Sequence, residues 1–249
     1  MNSNEVLQTH ASHILSHARR AGGTTLKLLG GVAIRRLYPE TAEHPALQRT
    51  CKDIDFAVGK KEAKGLNQVF MDSGFAADRH FNALHGATRL LYTAGELQAD
   101  VFVSVFEQCH KIVLEHRLDL LEETLPPADL VLMKLQVVQI NEKDLQDLCV
   151  LLLGAELGAN DAPGVINVDY LIGITSEDWG WHTTCSDSLE KLTHYAEERL
   201  PKPERASLET KIAELQQRMN GSPKSLKWKM RSALGRKMQW YELPEEARR

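Results

Sequence analysis

Long apolar runs are missing from this sequence. Nothing in it approaches the ~20 consecutive apolar residues that a membrane-spanning helix needs, so no membrane partner is expected. The first residues, Met1-Asn2-Ser3-Asn4-Glu5, lack a basic stretch followed by an apolar block, so no secretory signal is expected either. Cysteine is scarce. The four cysteines, Cys51, Cys109, Cys149 and Cys185, are far apart and form no C-x-x-C pair. That spacing argues against a disulfide framework or a zinc site and fits a reducing compartment, so a cytoplasmic location is expected. An excess of positive charge is lacking too: 30 Lys and Arg against 34 Asp and Glu leave a net charge of −4. No global basic field points to nucleic acid. Internal repeats and low-complexity tracts are absent.

What is present is the composition of an ordinary globular protein, 43% hydrophobic and 26% charged over 249 residues. That length fits one large domain or two small ones. Residues 25–58 organise the rest. The apolar run Thr24–Leu29 reads as a strand that enters Gly30-Gly31, and Val32–Leu37 continues as a helix. A polar loop over 38–51 leads to a second strand over 53–58, Asp53-Ile54-Asp55-Phe56-Ala57-Val58. Residues i and i+2 of a strand share a face, with Cα atoms ~6.5–7 Å apart. Asp53 and Asp55 therefore project side by side while Ile54 and Phe56 pack behind them. Two adjacent carboxylates repel and call for a compensating cation, and hard oxygen ligands suit Mg²⁺ or Mn²⁺. The glycine pair allows close backbone approach, and the helix after it offers N–H groups and a positive dipole end to a phosphate.

Around this stretch the chain reads as follows. Residues 4–20 form a helix closed by Ala21-Gly22-Gly23, with His10, His13 and His17 on one face. No carboxylate or cysteine completes a ligand set, so these histidines are expected to make a polar helix face. Lys60–Met71 has helical spacing, 75–86 is ambiguous, and Thr88–Thr93 with Leu97–Phe106 forms a hairpin across Ala94-Gly95-Glu96. Asp100 shares a face of the second hairpin strand with Gln98, Phe102 and Ser104 and is a lone acid in an apolar strand. It is either an acid on a solvent-facing edge or a third candidate ligand, and the two aspartates that call for a cation favour the latter. Arg89 on the first strand faces either the site or solvent. Ile112–Leu114 is a further strand candidate. Pro126-Pro127 marks a boundary. Beyond it, Asp129–Gln139 is an apolar helix carrying Lys134, and Asn141 caps a helix running to about Leu157, with Asp144 at its third position. Asp169–Ile174, Ser188–Arg199 and Ala206–Met219 are further helices. Gly221–Tyr241 carries six cations and no acid, so it is +6 and the remainder −10. Its Leu226, Met230, Leu234 and Met238 recur every four residues, as in an amphipathic helix. This segment is either a packed terminal helix with a solvated basic face or a landing surface for a polyanion.

Strand, Gly-Gly, helix, loop, strand with Asp-x-Asp, then a hairpin strand with a third Asp is an order that resembles the polymerase β-like nucleotidyltransferase superfamily. The matching residues are Leu29-Gly30-Gly31, Asp53-Ile54-Asp55-Phe56 and Asp100. The lysine helix Asp129–Gln136 and the following Asn141-Glu142-Lys143-Asp144-Leu145-Gln146-Asp147-Leu148 are similar to the AbiEii-type branch. Together these cover roughly residues 25–155. The 21 residues between Gly31 and Asp53 exceed the usual family spacing, with the extra length in the 38–51 loop.

The resemblance implies an α/β (α+β) fold, a mixed sheet flanked by helices over 1–125 and a helical C-terminal domain over 126–249. It implies a metal-dependent transfer of a nucleoside monophosphate from an NTP to a hydroxyl of tRNA, a protein or a small molecule. It also implies a toxin-like role with a possible antitoxin partner. Asp53, Asp55 and Asp100 would be the catalytic and metal-binding carboxylates, and Gly30, Gly31 and Lys134 would bind the nucleotide. Lys134 reads equally as a lysine that snorkels out of an apolar helix. The alternative is a catalytically silent protein of the same fold that binds a nucleotide or a partner.

Overall fold

The computed structural model describes residues 2–21 and 25–243. Gly22 and Gly23 of the expected helix stop, and Thr24 of the expected first strand, lie outside the described residues. The chain divides into two compact units. The first comprises Met1–Pro39, Arg49–Phe106 and Ile112–Pro126; the second comprises Glu40–Gln48, Glu107–Lys111 and Pro127–Arg249.

The first unit is a mixed sheet with helices. Helix α1 (Ser3–Arg20) starts at Asn2, whose side chain accepts from the Glu5 N–H while the Glu5 carboxylate accepts from the Asn2 N–H. This reciprocal cap satisfies two of the N–H groups that a helix start leaves open. Leu7, Ala11, Ile14, Leu15 and Ala18 form its buried stripe. Strand β1 (Leu26–Leu29) runs directly into α2 (Gly30–Leu37); α3 (Pro39–Ala42), all but its first residue assigned to the second unit, precedes β2 (Ile54–Val58) in the chain. The expected Lys60–Met71 helix resolves into a 3₁₀ turn over Glu62–Gly65 and α4 (Leu66–Asp72). The ambiguous 75–86 segment holds β3 (Ala76–Ala77) and α5 (Arg79–His85), capped by Asp78. Strands β4 (Arg89–Ala94) and β5 (Leu97–Val103) form the expected hairpin.

The strand order is β1-β2-β5-β4-β3. Only β2 and β5 pair in parallel; the other pairs are antiparallel. Register sorts side chains into two faces. One cross-strand row is Leu28, Phe56, Val101 and Leu90; another is Ile54, Ala99 and Tyr92. Phe70 of α4 stacks on Tyr92 at 3.9 Å and meets Phe56 edge-on at 5.9 Å. The opposite face carries the row Leu29, Asp55, Asp100 and Leu91.

The second hairpin strand was expected to reach Phe106. It ends at Val103 because Ser104 takes a left-handed conformation, φ 61°, and its hydroxyl accepts from the Lys60 N–H at 3.0 Å. A non-glycine residue there breaks the pleat. The chain resumes as β6 (Val105–Glu107) and β7 (Lys111–Val113).

The second unit is mainly helical. It contains α6 (Pro127–Leu135), α7 (Glu142–Gly154), the short parallel strands β8 (Glu156–Gly158) and β9 (Val165–Asn167), then α8 (Val168–Glu177), α9 (Trp179–Arg199), α10 (Lys202–Gly221) and α11 (Leu226–Leu234). Asn141 caps α7 as expected, its side chain accepting from the Asp144 N–H. That helix stops at Gly154 and not near Leu157, since Leu157 is paired with Ile166 in β8. Helix α9 starts nine residues earlier than the Ser188 expected. Asp178 accepts from the N–H groups of Gly180 and Trp181 at its start, 2.7 and 3.0 Å away. No helix among the described residues is long and apolar enough to cross a membrane. The four cysteines are all buried and joined by no disulfide. Burial pushes the Cys149 thiol up to about 12, away from thiolate chemistry.

Candidate metal centre

The site grows out of β1 and β2. Leu29 pairs with Asp55 across this antiparallel pair, and Asp55 pairs with Asp100 across the parallel pair β2–β5. Asp53 immediately precedes β2 and points, two residues back, to the same side. One carboxylate oxygen each from Asp53, Asp55 and Asp100 lie within 4.8 Å of one another. Asp53 and Asp55 are half-buried and Asp100 is buried. Among the described residues this is the one group of three acidic, histidine or cysteine ligands so placed, and it can hold a metal ion.

The glycines are fitted to it. Gly30 has φ +69°, and a methyl group on it would stand 2.1 Å from Asp55 Oδ2. Only a residue without Cβ lets the start of α2 lie against that carboxylate. A methyl on Gly31 would stand 2.3 Å from Arg49 Nη2 and 2.9 Å from Cys51 Sγ. The glycine pair is therefore flanked by an acid on one side and a guanidinium on the other. Helix α2, which starts at Gly30, has no acidic residue in its first turn and no side-chain cap. Arg49 was not singled out in the sequence; its signal was a cation four residues before Asp53, beside Lys52, at the end of a polar loop.

Arg89, left open by the sequence, faces the site. Its Nε and Nη2 each approach Asp100 Oδ1 at 2.8 Å, and Gln98 Nε2 donates to Oδ2 at 2.8 Å. The guanidinium lies 5.6 Å from the Phe81 ring and 5.3 Å from the Phe102 ring. On the same face of β1, Lys27 is buried and donates to the carbonyls of Leu121 and Glu122. Burial is the main cause holding its pKa below the usual lysine range.

The fit of a divalent cation rests on these observations. The donor set is three carboxylates, all hard oxygens of the kind Mg²⁺ and Mn²⁺ prefer. The oxygens converge, and the backbone beside them is stripped of side chain at Gly30.

Lys134 lies in the second unit. Its ammonium pairs with Asp144 at 2.7 Å and with Asp147 at 3.0 Å, where Asp147 is fully buried. It thus ties α6 to α7. The three histidines of α1 form no ligand group among the described residues: the His13 and His17 rings meet edge-on at 6.4 Å, but His10 meets Phe75 edge-on at 5.7 Å and His17 Nδ1 lies 2.9 Å from Ser73 Oγ.

The C-terminal segment also departs from a simple packed helix. Leu226, Met230, Leu234 and Met238 are exposed. With Trp179, Trp228 and Trp240 the first three line a groove of ≈ 610 Å³ within the second unit. Several cations there are already engaged. Arg236 forms two bonds to Asp187, and Arg231 donates to the carbonyls of Gly235 and Met238 while lying 4.7 Å from the Trp179 ring.

Compared with family models, with curated proteins and with solved structures, the chain matches none.

Proposed function

We propose that this protein is a metal-dependent nucleotidyltransferase of the polymerase β-like fold, similar to the AbiEii-type branch, that moves a nucleoside monophosphate from an NTP to a hydroxyl acceptor. The observation that carries the proposal is the convergence of Asp53, Asp55 and Asp100 beside a glycine that opens a helix. In-line transfer at phosphorus needs negative charge held at fixed positions and a phosphate cradle next to them. Asp53, Asp55 and Asp100 would hold divalent cations there, which would supply charge neutralisation at the reacting phosphoryl group.

The residues of the chain do the rest. Asp53 and Asp55 would hold the cation that accompanies the triphosphate. Asp100, with one or both of that pair, would hold the second cation on the acceptor side, and its charge there would favour loss of the acceptor's proton. The N–H groups at Gly30 and Gly31 bind phosphate oxygens, assisted by the positive end of α2. Arg49, beside Gly31, adds positive charge to that phosphate cradle. The acceptor is tRNA, a protein or a small molecule, and a toxin-like role with an antitoxin partner belongs to the same reading.

Calorimetric titration of NTP with and without Mg²⁺ tests this. Binding by the wild-type chain should require Mg²⁺, and Asp53→Asn with Asp55→Asn should abolish it while the circular dichroism spectrum stays intact. Unchanged Mg²⁺-dependent binding in the double variant would place the site elsewhere.

A further inference from the structure

We propose that Arg89 is an internal counter-cation of the carboxylate group and that it sets how tightly a divalent cation binds there. The inference rests on the cation site of the proposed function, and not on nucleotidyl transfer itself.

Asp100 is 2% exposed and stands among two further carboxylates, whose oxygens reach within 4.8 Å. Three like charges at that spacing are unfavourable in a partly desolvated site. Arg89 supplies relief at Asp100. Both of its contacting nitrogens address one oxygen, Oδ1, at 2.8 Å, while Gln98 occupies one side of Oδ2. A carboxylate oxygen offers about two lone-pair directions. Oδ1 is therefore filled, and Oδ2 retains one direction for a cation.

Arg89 is held in this pose from both ends. In the hairpin register it sits opposite Phe102 and two residues from Leu91, which sits opposite Asp100. The Phe81 and Phe102 rings flank the guanidinium, and its side chain is 37% exposed against 2% for Asp100. The arginine thus fixes the orientation of Asp100 and cancels part of the field that would attract a divalent ion. A bound cation and Arg89 compete electrostatically for Asp100.

Removing the charge should therefore tighten cation binding, opposite to what loss of a merely structural residue would do. The test uses the full chain and Mn²⁺ alone, with free Mn²⁺ read by electron paramagnetic resonance at fixed ionic strength. Arg89→Gln keeps a hydrogen-bond donor and removes the charge; Arg89→Met removes both. Each should bind Mn²⁺ about tenfold more tightly than wild type, since unit charges a few ångströms apart interact strongly at protein dielectrics. Arg89→Lys keeps the charge and should stay within about threefold of wild type. In thermal melts the Mn²⁺-induced rise should be larger for Arg89→Gln than for wild type. Unchanged or weaker Mn²⁺ binding in Arg89→Gln, beside normal wild-type binding, would overturn the role of Arg89 alone. Absence of Mn²⁺ binding by the wild-type chain would overturn the cation site itself.

Discussion

The α-carbon of Gly30 lies so close to the Asp55 carboxylate that a methyl group there would stand 2.1 Å from Oδ2. Backbone and carboxylate are thereby locked together at the mouth of α2, and the glycine cannot be exchanged without moving the acid. Its φ of +69° adds a second penalty for any side chain. Gly30→Ala should cost about 2 kcal/mol or more of stability from backbone strain and clash. It should also weaken Mn²⁺ binding by displacing Asp55. Gly31→Ala should be milder, since its nearest obstacle is the end of the flexible Arg49 side chain. Melting curves and Mn²⁺ titration of both variants check this; wild-type Mn²⁺ affinity in Gly30→Ala would mean that the close approach does not shape the site.

Lys134 separates two roles. In the structure it bridges Asp144 and the fully buried Asp147. Lys134→Met leaves Asp147 with one cation fewer and should destabilise the chain by about 3 kcal/mol, as breaking a buried pair does. If Lys134 also serves the triphosphate, Mg²⁺-dependent NTP binding should fall more than nucleoside binding in the same variant. A stability loss with unchanged preference for the triphosphate would confine Lys134 to holding α6 on α7.

Acid should loosen the second unit through His110. Its ring stacks on Trp181 at 4.8 Å, and its Nε2 lies 2.8 Å from Thr184 Oγ1. Burial pushes its pKa down to about 4, partly offset by Asp178. The unfolded chain takes up this proton near pH 6.5 and the folded chain only near 4. The stability contribution is therefore complete above pH 6.5 and is lost as pH falls towards 4, by about 2 kcal/mol after allowance for solvent screening. Urea unfolding between pH 7 and 4.5 should show the loss, and His110→Gln should flatten it. Equal slopes in both proteins would assign the acid limb to other groups.

The basic C-terminal segment makes a salt-dependence prediction. Lys229 and Lys237 stand on or just beyond α11, and Lys227 reaches Asp178 only at 3.9 Å. If tRNA is the acceptor, anisotropy titrations should show binding that falls steeply with salt. Replacing Lys227, Lys229 and Lys237 with glutamine should reduce that slope by about 2 to 3. Arg231 and Arg236 are poor choices for this test because their guanidiniums support the local structure. No binding at low salt would favour a small-molecule or protein acceptor.

Much of the site was legible because it depends on short-range rules. The two-residue period of a strand places Asp53 beside Asp55, and Asp100 stands out as a lone acid in an apolar strand beside a pair that calls for a cation. What joins them is the parallel pairing of β2 with β5, a contact between strands that are not consecutive, and local pattern carries no record of it. The same holds for Arg89, whose direction is fixed only by the β4–β5 register, and for Lys134, whose partners sit on the following helix. Some boundaries failed for local reasons. Ser104 takes a conformation unusual for serine, and the first turns of α9, rich in Trp, Gly and Thr, hide a helix behind poor propensity. The exposed apolar stripe of α11 was visible as a period but not as a surface, since a period alone does not say which side faces the core.

The most direct test of the central claim is transfer of label. Each of the four α-³²P-labelled NTPs is incubated with the protein, Mg²⁺ and cell extract, and the nucleic-acid, protein and small-molecule fractions are counted. Wild type should label one fraction from a preferred NTP, and the Asp53→Asn, Asp55→Asn variant should label none. Label transferred equally by both proteins, or by neither from any of the four nucleotides, would contradict a nucleotidyltransferase working through Asp53, Asp55 and Asp100.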